Sequence, residues 1–134
     1  MGLSIFERRS RLSRIVFHID VNSAFLSWSA LERLEQNPDG VDLRTIPSAV
    51  AGDVASRRGV VTAASIPAKR LGVKSGEPVS AALRLCPNLV LVASNFSYYR
   101  RKSVAFLEIL NRHSSAVEQF SIDEAFLDMS ARFS

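Results

Sequence analysis

The chain has 134 residues, 47% of them hydrophobic and 22% charged, with a net charge of +4. That is ample apolar material for a core, which excludes disorder, and 5 Pro with 6 Gly exclude collagen-like or low-complexity sequence. One cysteine, Cys86, excludes an internal disulfide. No apolar run approaches the roughly 20 residues of a membrane span, and Met1 to Arg14 lacks a secretory h-region, so a cytoplasmic protein with no membrane partner is expected.

Residues Met1 to Ser13 are polar and Arg/Ser-rich and read as a flexible leader. Arg14 to Asp20 (RIVFHID) is a β-branched and aromatic run and predicts a buried strand. A helix follows, capped by Asn22 or Ser23, with Ala24, Phe25, Trp28, Leu31 and Leu34 at helical spacing. Asn37-Pro38-Asp39-Gly40 ends it. Ser48 to Ala51 and Gly59 to Ala64 predict short strands around a charged turn. Pro67 to Leu71 fits one or two helical turns closed by Gly72, and Pro78 suits the first turn of a helix running to Leu85. After the Cys86-Pro87-Asn88 break, Leu89 to Ala93 predicts a strand. Ser97 to His113 is the clearest helix, with Val104, Leu107 and Leu110 on one face. Val117 to Phe120 and Ala125 to Asp128 predict two strands joined around Ser121-Ile122-Asp123-Glu124.

Charge is unevenly spread. Between Val54 and Arg112 there are ten basic residues, opposed only by Glu77 and Glu108. Such asymmetry suits a polyanionic partner such as nucleic acid or a nucleotide, and equally a solvated basic surface. The acids are more pointed. Asp20 ends a hydrophobic strand, and Asp123-Glu124 sits between two more. Three carboxylates at strand ends could share a hard cation such as Mg²⁺, bound through oxygen. Spacing alone is also satisfied by Asp20 capping a helix and by an exposed polar turn. His18 shares a strand face with Asp20; a packed core histidine is the expected reading, ahead of a metal ligand. Trp28 is expected in the helix core and Cys86 as a buried, inert thiol. Lys74-Ser75-Gly76 lacks the spacing of a phosphate-binding P-loop.

The wording around these acids adds a resemblance. Phe17-His18-Ile19-Asp20-Val21-Asn22-Ser23-Ala24-Phe25 resembles the first motif of the Y-family translesion DNA polymerases, and Ser121-Ile122-Asp123-Glu124-Ala125-Phe126-Leu127-Asp128 their second acidic motif. Between them, Arg57 to Ala63 and Pro67 to Val73 resemble the fingers segment, and Leu85 to Leu89 with Tyr99 and Ser103 the next block. Four blocks occur in order over about Ile15 to Ser130, most similar to the polymerase IV-type bacterial enzymes.

The resemblance implies an α+β fold: a ferredoxin-like palm from residues 14–24 and 89–134, with a small fingers subdomain, 25–88, inserted. It implies lesion-bypass DNA synthesis by nucleotidyl transfer, with primer–template DNA and deoxynucleoside triphosphates as substrates. Asp20, Asp123 and Glu124, with the backbone carbonyl of Val21, would hold two Mg²⁺ ions. Phe25 falls at the steric gate against the nucleotide sugar and Lys69 at the triphosphate grip. Tyr99 and Arg100 fall on a helix that approaches the nucleotide. Three departures stand out: Asn22 where an acid is frequent, Ile66 where tyrosine is usual, and Lys69 for Arg, which keeps charge but loses the bidentate fork. Such enzymes continue into a thumb and little finger. The chain is therefore expected to be an N-terminal palm–fingers piece, weak or inactive alone, with any sliding-clamp contact made through regions beyond it. A palm-type nucleotide cyclase and a non-catalytic polymerase-like repair subunit are the alternative functions.

Overall fold

A computed structural model describes residues 14–52 and 58–133; the expected leader, and Arg57 of the fingers motif, lie outside the described residues. The described chain divides into two compact units. One closes at Val21 and resumes at Arg100, and the other runs Asn22–Tyr99. The second stretch of palm expected from the sequence begins at residue 89, eleven residues before Arg100.

The first unit is built on a three-stranded antiparallel sheet in the order β1-β6-β5, from β1 (Val16–Asp20), β5 (Val117–Ser121) and β6 (Glu124–Asp128). The β1–β6 register pairs Val16 with Asp128 and Asp20 with Glu124. Because strand side chains alternate faces, Ile19, Ala125, Leu127 and Val117 gather on one side, where Phe106, Leu107 and Leu110 of the long helix cover them together with Met129. Ile122-Asp123 forms the turn between β5 and β6, beside a register shift between Gln119 and Ser121. Ser103, buried on that helix, donates its hydroxyl to the Ile122 carbonyl and so ties the turn down.

The long helix, Phe96–Asn111, spans 16 residues. Its buried positions are Tyr98, Tyr99, Ser103 and Leu110, and Val104, expected on the core face, is exposed. At about 100° per residue, the stripe through 99, 103 and 110 leaves position 104 one step round the helix.

The second unit packs helices against a second sheet in the order β3-β2-β4, from β2 (Ser48–Ala51), β3 (Val61–Ala64) and β4 (Val90–Ala93). β2 pairs antiparallel with β3 and parallel with β4. All four residues of β2 are buried because both faces are covered. Ala49 and Ala51 face a core with Val61, Val73, Val79, Ala82 and Cys86, while Val50 faces Leu26, Ala30 and Leu43. Cys86 is thus the buried thiol the sequence predicts.

Helix α1 (Ala24–Gln36) supplies Leu26 and Ala30. Ser65 caps α2 (Ile66–Arg70) by accepting from the Ala68 N–H, and donates to the Ile46 carbonyl. Gly72, at φ +97°, closes α2 in a left-handed conformation suited to glycine, and the Val73 N–H returns to the Ala68 carbonyl. Helix α3 is Val79–Leu85, the long helix is α4, and α5 is a single turn at Ser130–Phe133.

Candidate functional site

In the first unit, the chemistry sits where β1 ends and the β5–β6 turn begins. Asp20 and Glu124 are direct partners in the β1–β6 ladder, so their side chains leave the same face of the sheet, with Cβ atoms about 4.5–5.5 Å apart. The Val21 N–H donates to the Asp123 carbonyl at 3.0 Å, which extends the ladder past the strand end and fixes Asp123 beside the pair. The strand ends are held by the packing of Ile19, Ala125 and Leu127 beneath them. Local sequence thus does two jobs: alternating apolar residues anchor one face, and the intervening acids stand on the other.

The carboxylates have protein partners. The Ser121 hydroxyl lies 2.9 Å from both Asp123 Oδ1 and Glu124 Oε2. His18 Nε2 lies 3.2 Å from Glu124 Oε1, and its ring stacks on Phe126 with centroids 4.6 Å apart. His18 is therefore not the core histidine expected from the strand pattern. Its side chain is 47% exposed, because that face of the sheet carries the acids while the helix covers the other. Ser121 is the residue that sequence reasoning missed, although its position two before Asp123, on the last residue of β5, is the signal that could have found it.

A divalent ion suits this donor set, which is all oxygen from carboxylates and carbonyls. Two like charges standing opposite one another in a ladder are destabilising by themselves, which supports the same fit. The carboxylates are neighbours but not a closed ligand set. Among the described residues, no group of three or more His, Cys, Asp or Glu side chains is gathered tightly enough to hold an ion as it stands. Ser121 and His18 occupy oxygens that an ion would have to recruit.

In the second unit, Phe25 is half-buried at the start of α1. Its ring stacks on Tyr99 at 4.8 Å and 18°, meets Phe96 edge-on at 5.9 Å, and lies near Trp28. Trp28 is buried, as the helix pattern predicts. Tyr99 was expected to touch a nucleotide itself, but it has no exposed surface and its hydroxyl is shared with Ser29 at 2.6 Å. In this structure it is a packing residue behind Phe25. Lys69 is exposed on α2 and its Nζ donates to the Ser23 hydroxyl at 2.8 Å. Ile66 is exposed at the start of the same helix. Arg100 is exposed on α4, at the first residue of the other unit.

No helix among the described residues is long and apolar enough to cross a membrane. Comparison with known proteins agrees with the motif reading. A family model described as the impB/mucB/samB family matches residues 19–134. DNA polymerase IV of Clostridium acetobutylicum is 44% identical over 118 residues, covering 88% of this chain and 30% of that protein. DNA polymerase IV 1 of Bacillus subtilis is also 44% identical, over 87% of this chain and 27% of the relative. Among solved structures, a Y-family DNA polymerase chimera matches with a TM-score of 0.74 at 28% identity, over 87% of this chain and 33% of its own. DinB from Sulfolobus solfataricus matches with a TM-score of 0.73 at 29% identity, over 87% and 32%. The chain spans about a third or less of the length of these relatives. With the family model matched from Ile19 onward and both sheets falling within a fold shared with Y-family DNA polymerases, the chain belongs to the impB/mucB/samB family.

Proposed function

We propose that this chain carries the acidic and nucleotide-selecting part of a DNA-directed DNA polymerase that copies past lesions. The observation that supports the reading most directly is the pairing of Asp20 with Glu124 across the β1–β6 ladder, with Asp123 tied in by the Val21 N–H. Relatives at 44% identity bear the name DNA polymerase IV.

In this reading Asp20, Asp123 and Glu124, with the carbonyl of Val21, hold two Mg²⁺ ions. When bound, those ions lower the pKa of the primer 3′-OH and neutralise charge at the α-phosphate and leaving group. The chain's own residues do the rest. Phe25 forms a floor beneath the incoming sugar, held by Tyr99 on its other face. Lys69 contributes positive charge to the triphosphate, and Arg100 supplies further charge on α4. The substrates are primer–template DNA and deoxynucleoside triphosphates, in the cytoplasm, with a sliding clamp engaged through other regions of the polymerase.

The test is single-nucleotide primer extension by the protein expressed from its full reading frame. Asp123→Ala is expected to reduce incorporation to background while circular dichroism stays unchanged, because two carboxylates cannot keep two cations in register. No extension by the parent, or a cyclic nucleotide product in its place, would overturn the reading.

A further inference from the structure

Ser23 breaks two local rules at once. It is the N-cap residue of α1, a position where serine ordinarily takes an extended backbone and turns its oxygen onto the N–H groups of the first turn. Here its φ and ψ are 46° and 51°, the left-handed region, and its side chain makes no capping hydrogen bond. Among the described residues it is the one non-glycine with positive φ. Left-handed backbone outside glycine is strained, and such strain persists only where surrounding contacts enforce it. The contacts that hold it are visible. Its carbonyl accepts from the Ser27 N–H at 2.9 Å, and its hydroxyl, unused as a cap, accepts from Lys69 Nζ at 2.8 Å.

Both residues belong to the second unit. Ser23 lies two positions before Phe25, and Lys69 comes from the exposed face of α2. A lysine ammonium has three donors and a long flexible stem, whereas arginine presents a preorganised planar fork. A neutral hydroxyl accepting one of the three donors fixes the stem and leaves the charge and two donors for a ligand. A carboxylate in the same place would neutralise the charge.

We infer that Ser23 is a positioning residue for nucleotide binding. Through its hydroxyl it holds the Lys69 ammonium ready for the triphosphate, supplying the order that arginine's fork would carry by itself. The inference rests on the proposed role of Lys69. The strained backbone of Ser23 serves to aim the hydroxyl at Lys69 rather than at the helix.

The experiment is a double-mutant cycle in the protein expressed from its full reading frame, read by steady-state incorporation of one deoxynucleotide. Ser23→Ala is expected to raise the deoxynucleotide KM about three- to tenfold with kcat nearly unchanged, since Lys69 meets a ligand group that does not react. Ser23→Gly removes the same hydroxyl but relieves the positive φ. It should give the same rise in KM while melting no lower than the parent, a pattern that a purely structural role of Ser23 would not produce. In a Lys69→Ala background, neither substitution should raise KM further. An independent readout is the Lys69 Nζ resonance in a nitrogen-15 NMR spectrum, expected to be protected in the parent and lost in both Ser23 variants. If the Ser23 effect persists without Lys69, or if Lys69→Ala raises KM while Ser23→Ala does not, the positioning role is overturned and the polymerase reading stands. If Lys69→Ala leaves KM unchanged while incorporation is normal, the phosphate role of Lys69 fails and the inference with it.

Discussion

Tyr99 lies flat against Phe25, with ring centroids 4.8 Å apart and planes 18° from parallel. Tyr99 is fully buried and anchored by its hydroxyl to Ser29, and Phe96 meets both rings edge-on. Phe25 therefore has one face packed against a buried, anchored ring, and the proposed role as a steric barrier to a sugar hydroxyl requires such rigidity. Phe25→Ala is expected to raise ribonucleotide incorporation by at least about tenfold, or about 1.4 kcal/mol of transition-state discrimination. Deoxynucleotide use should fall much less. Paired extension assays with deoxy- and ribonucleotides check this; equal loss of both activities would make Phe25 a core residue.

The β5–β6 turn depends on a contact from the helix beneath it. The buried Ser103 hydroxyl donates to the Ile122 carbonyl, next to Asp123. Ser103→Ala leaves that carbonyl without its donor and should destabilise the protein by about 1–2 kcal/mol, read as a lower urea midpoint with unchanged slope. The loosened turn should also weaken divalent binding, whereas a substitution at exposed Val104, one residue on, should do neither.

These two contacts show how far the sequence could be read. Strands, helices and the acids were legible because they rest on local signals: apolar alternation, helical spacing, Pro and Gly breaks. The Asp20–Glu124 pairing rests on register, which the alternation in β1 and β6 constrains but does not name. Tyr99 resembles a ligand contact by its sequence position, and only packing shows that it is buried against the Phe25 ring. His18 was misread for the opposite reason. A strand histidine beside apolar residues suggests a core, yet the helix covers the other face of this sheet. The Ser23–Lys69 contact joins residues far apart in sequence through a strained backbone that no propensity predicts. The 3-10 turn at Leu43–Thr45 was missed because its signal is one cap and one ion pair.

That turn offers a pH test. Asp42 caps it by accepting from the Arg44 N–H at 2.9 Å, and its carboxylate takes further hydrogen bonds from the Arg44 guanidinium at 2.8–3.2 Å. The guanidinium bonds hold the carboxyl below its ordinary value, against a smaller opposing effect of burial. A depressed folded-state pKa means the stabilisation is complete above the unfolded value, about 3.9, and is lost as pH falls through the folded value. Asp42→Ala is expected to cost about 0.5–1 kcal/mol at pH 7, modest because water screens the pair. The difference from the parent should stay constant down to about pH 5 and shrink below about pH 4. Denaturation midpoints across that range measure it.

Binding to primer–template DNA should be weak and should fall as salt rises, because phosphate contacts release counterions. Exposed Arg70, Lys74 and Arg84 of the second unit make this the expected electrostatic response. Neutralising one residue that touches phosphate should reduce the slope of log affinity against log salt by about 1. A salt-independent affinity measured by fluorescence anisotropy would remove the basic surface from the interface.

The acids themselves give a prediction with an unusual sign. Asp20 faces Glu124 across the ladder, and Asp123 and Glu124 both approach the single hydroxyl of Ser121 at 2.9 Å. That hydroxyl has one proton and can donate to only one of them. Without a cation, Asp20 and Glu124 stand as like charges opposite one another in the ladder. Mg²⁺ at about ten times its dissociation constant should therefore stabilise the protein by about 1.4 kcal/mol, seen as a raised melting temperature. Glu124→Gln keeps the shape and a polar contact for His18 and Ser121 while removing one charge. It should melt at or above the parent temperature in EDTA and lose most of the Mg²⁺-dependent rise. A structural carboxylate would behave in the opposite way, melting lower in EDTA once replaced and keeping its response to the ion. The two curves, each recorded with EDTA and with Mg²⁺, separate a site built to hold a cation from a polar turn that merely contains acids.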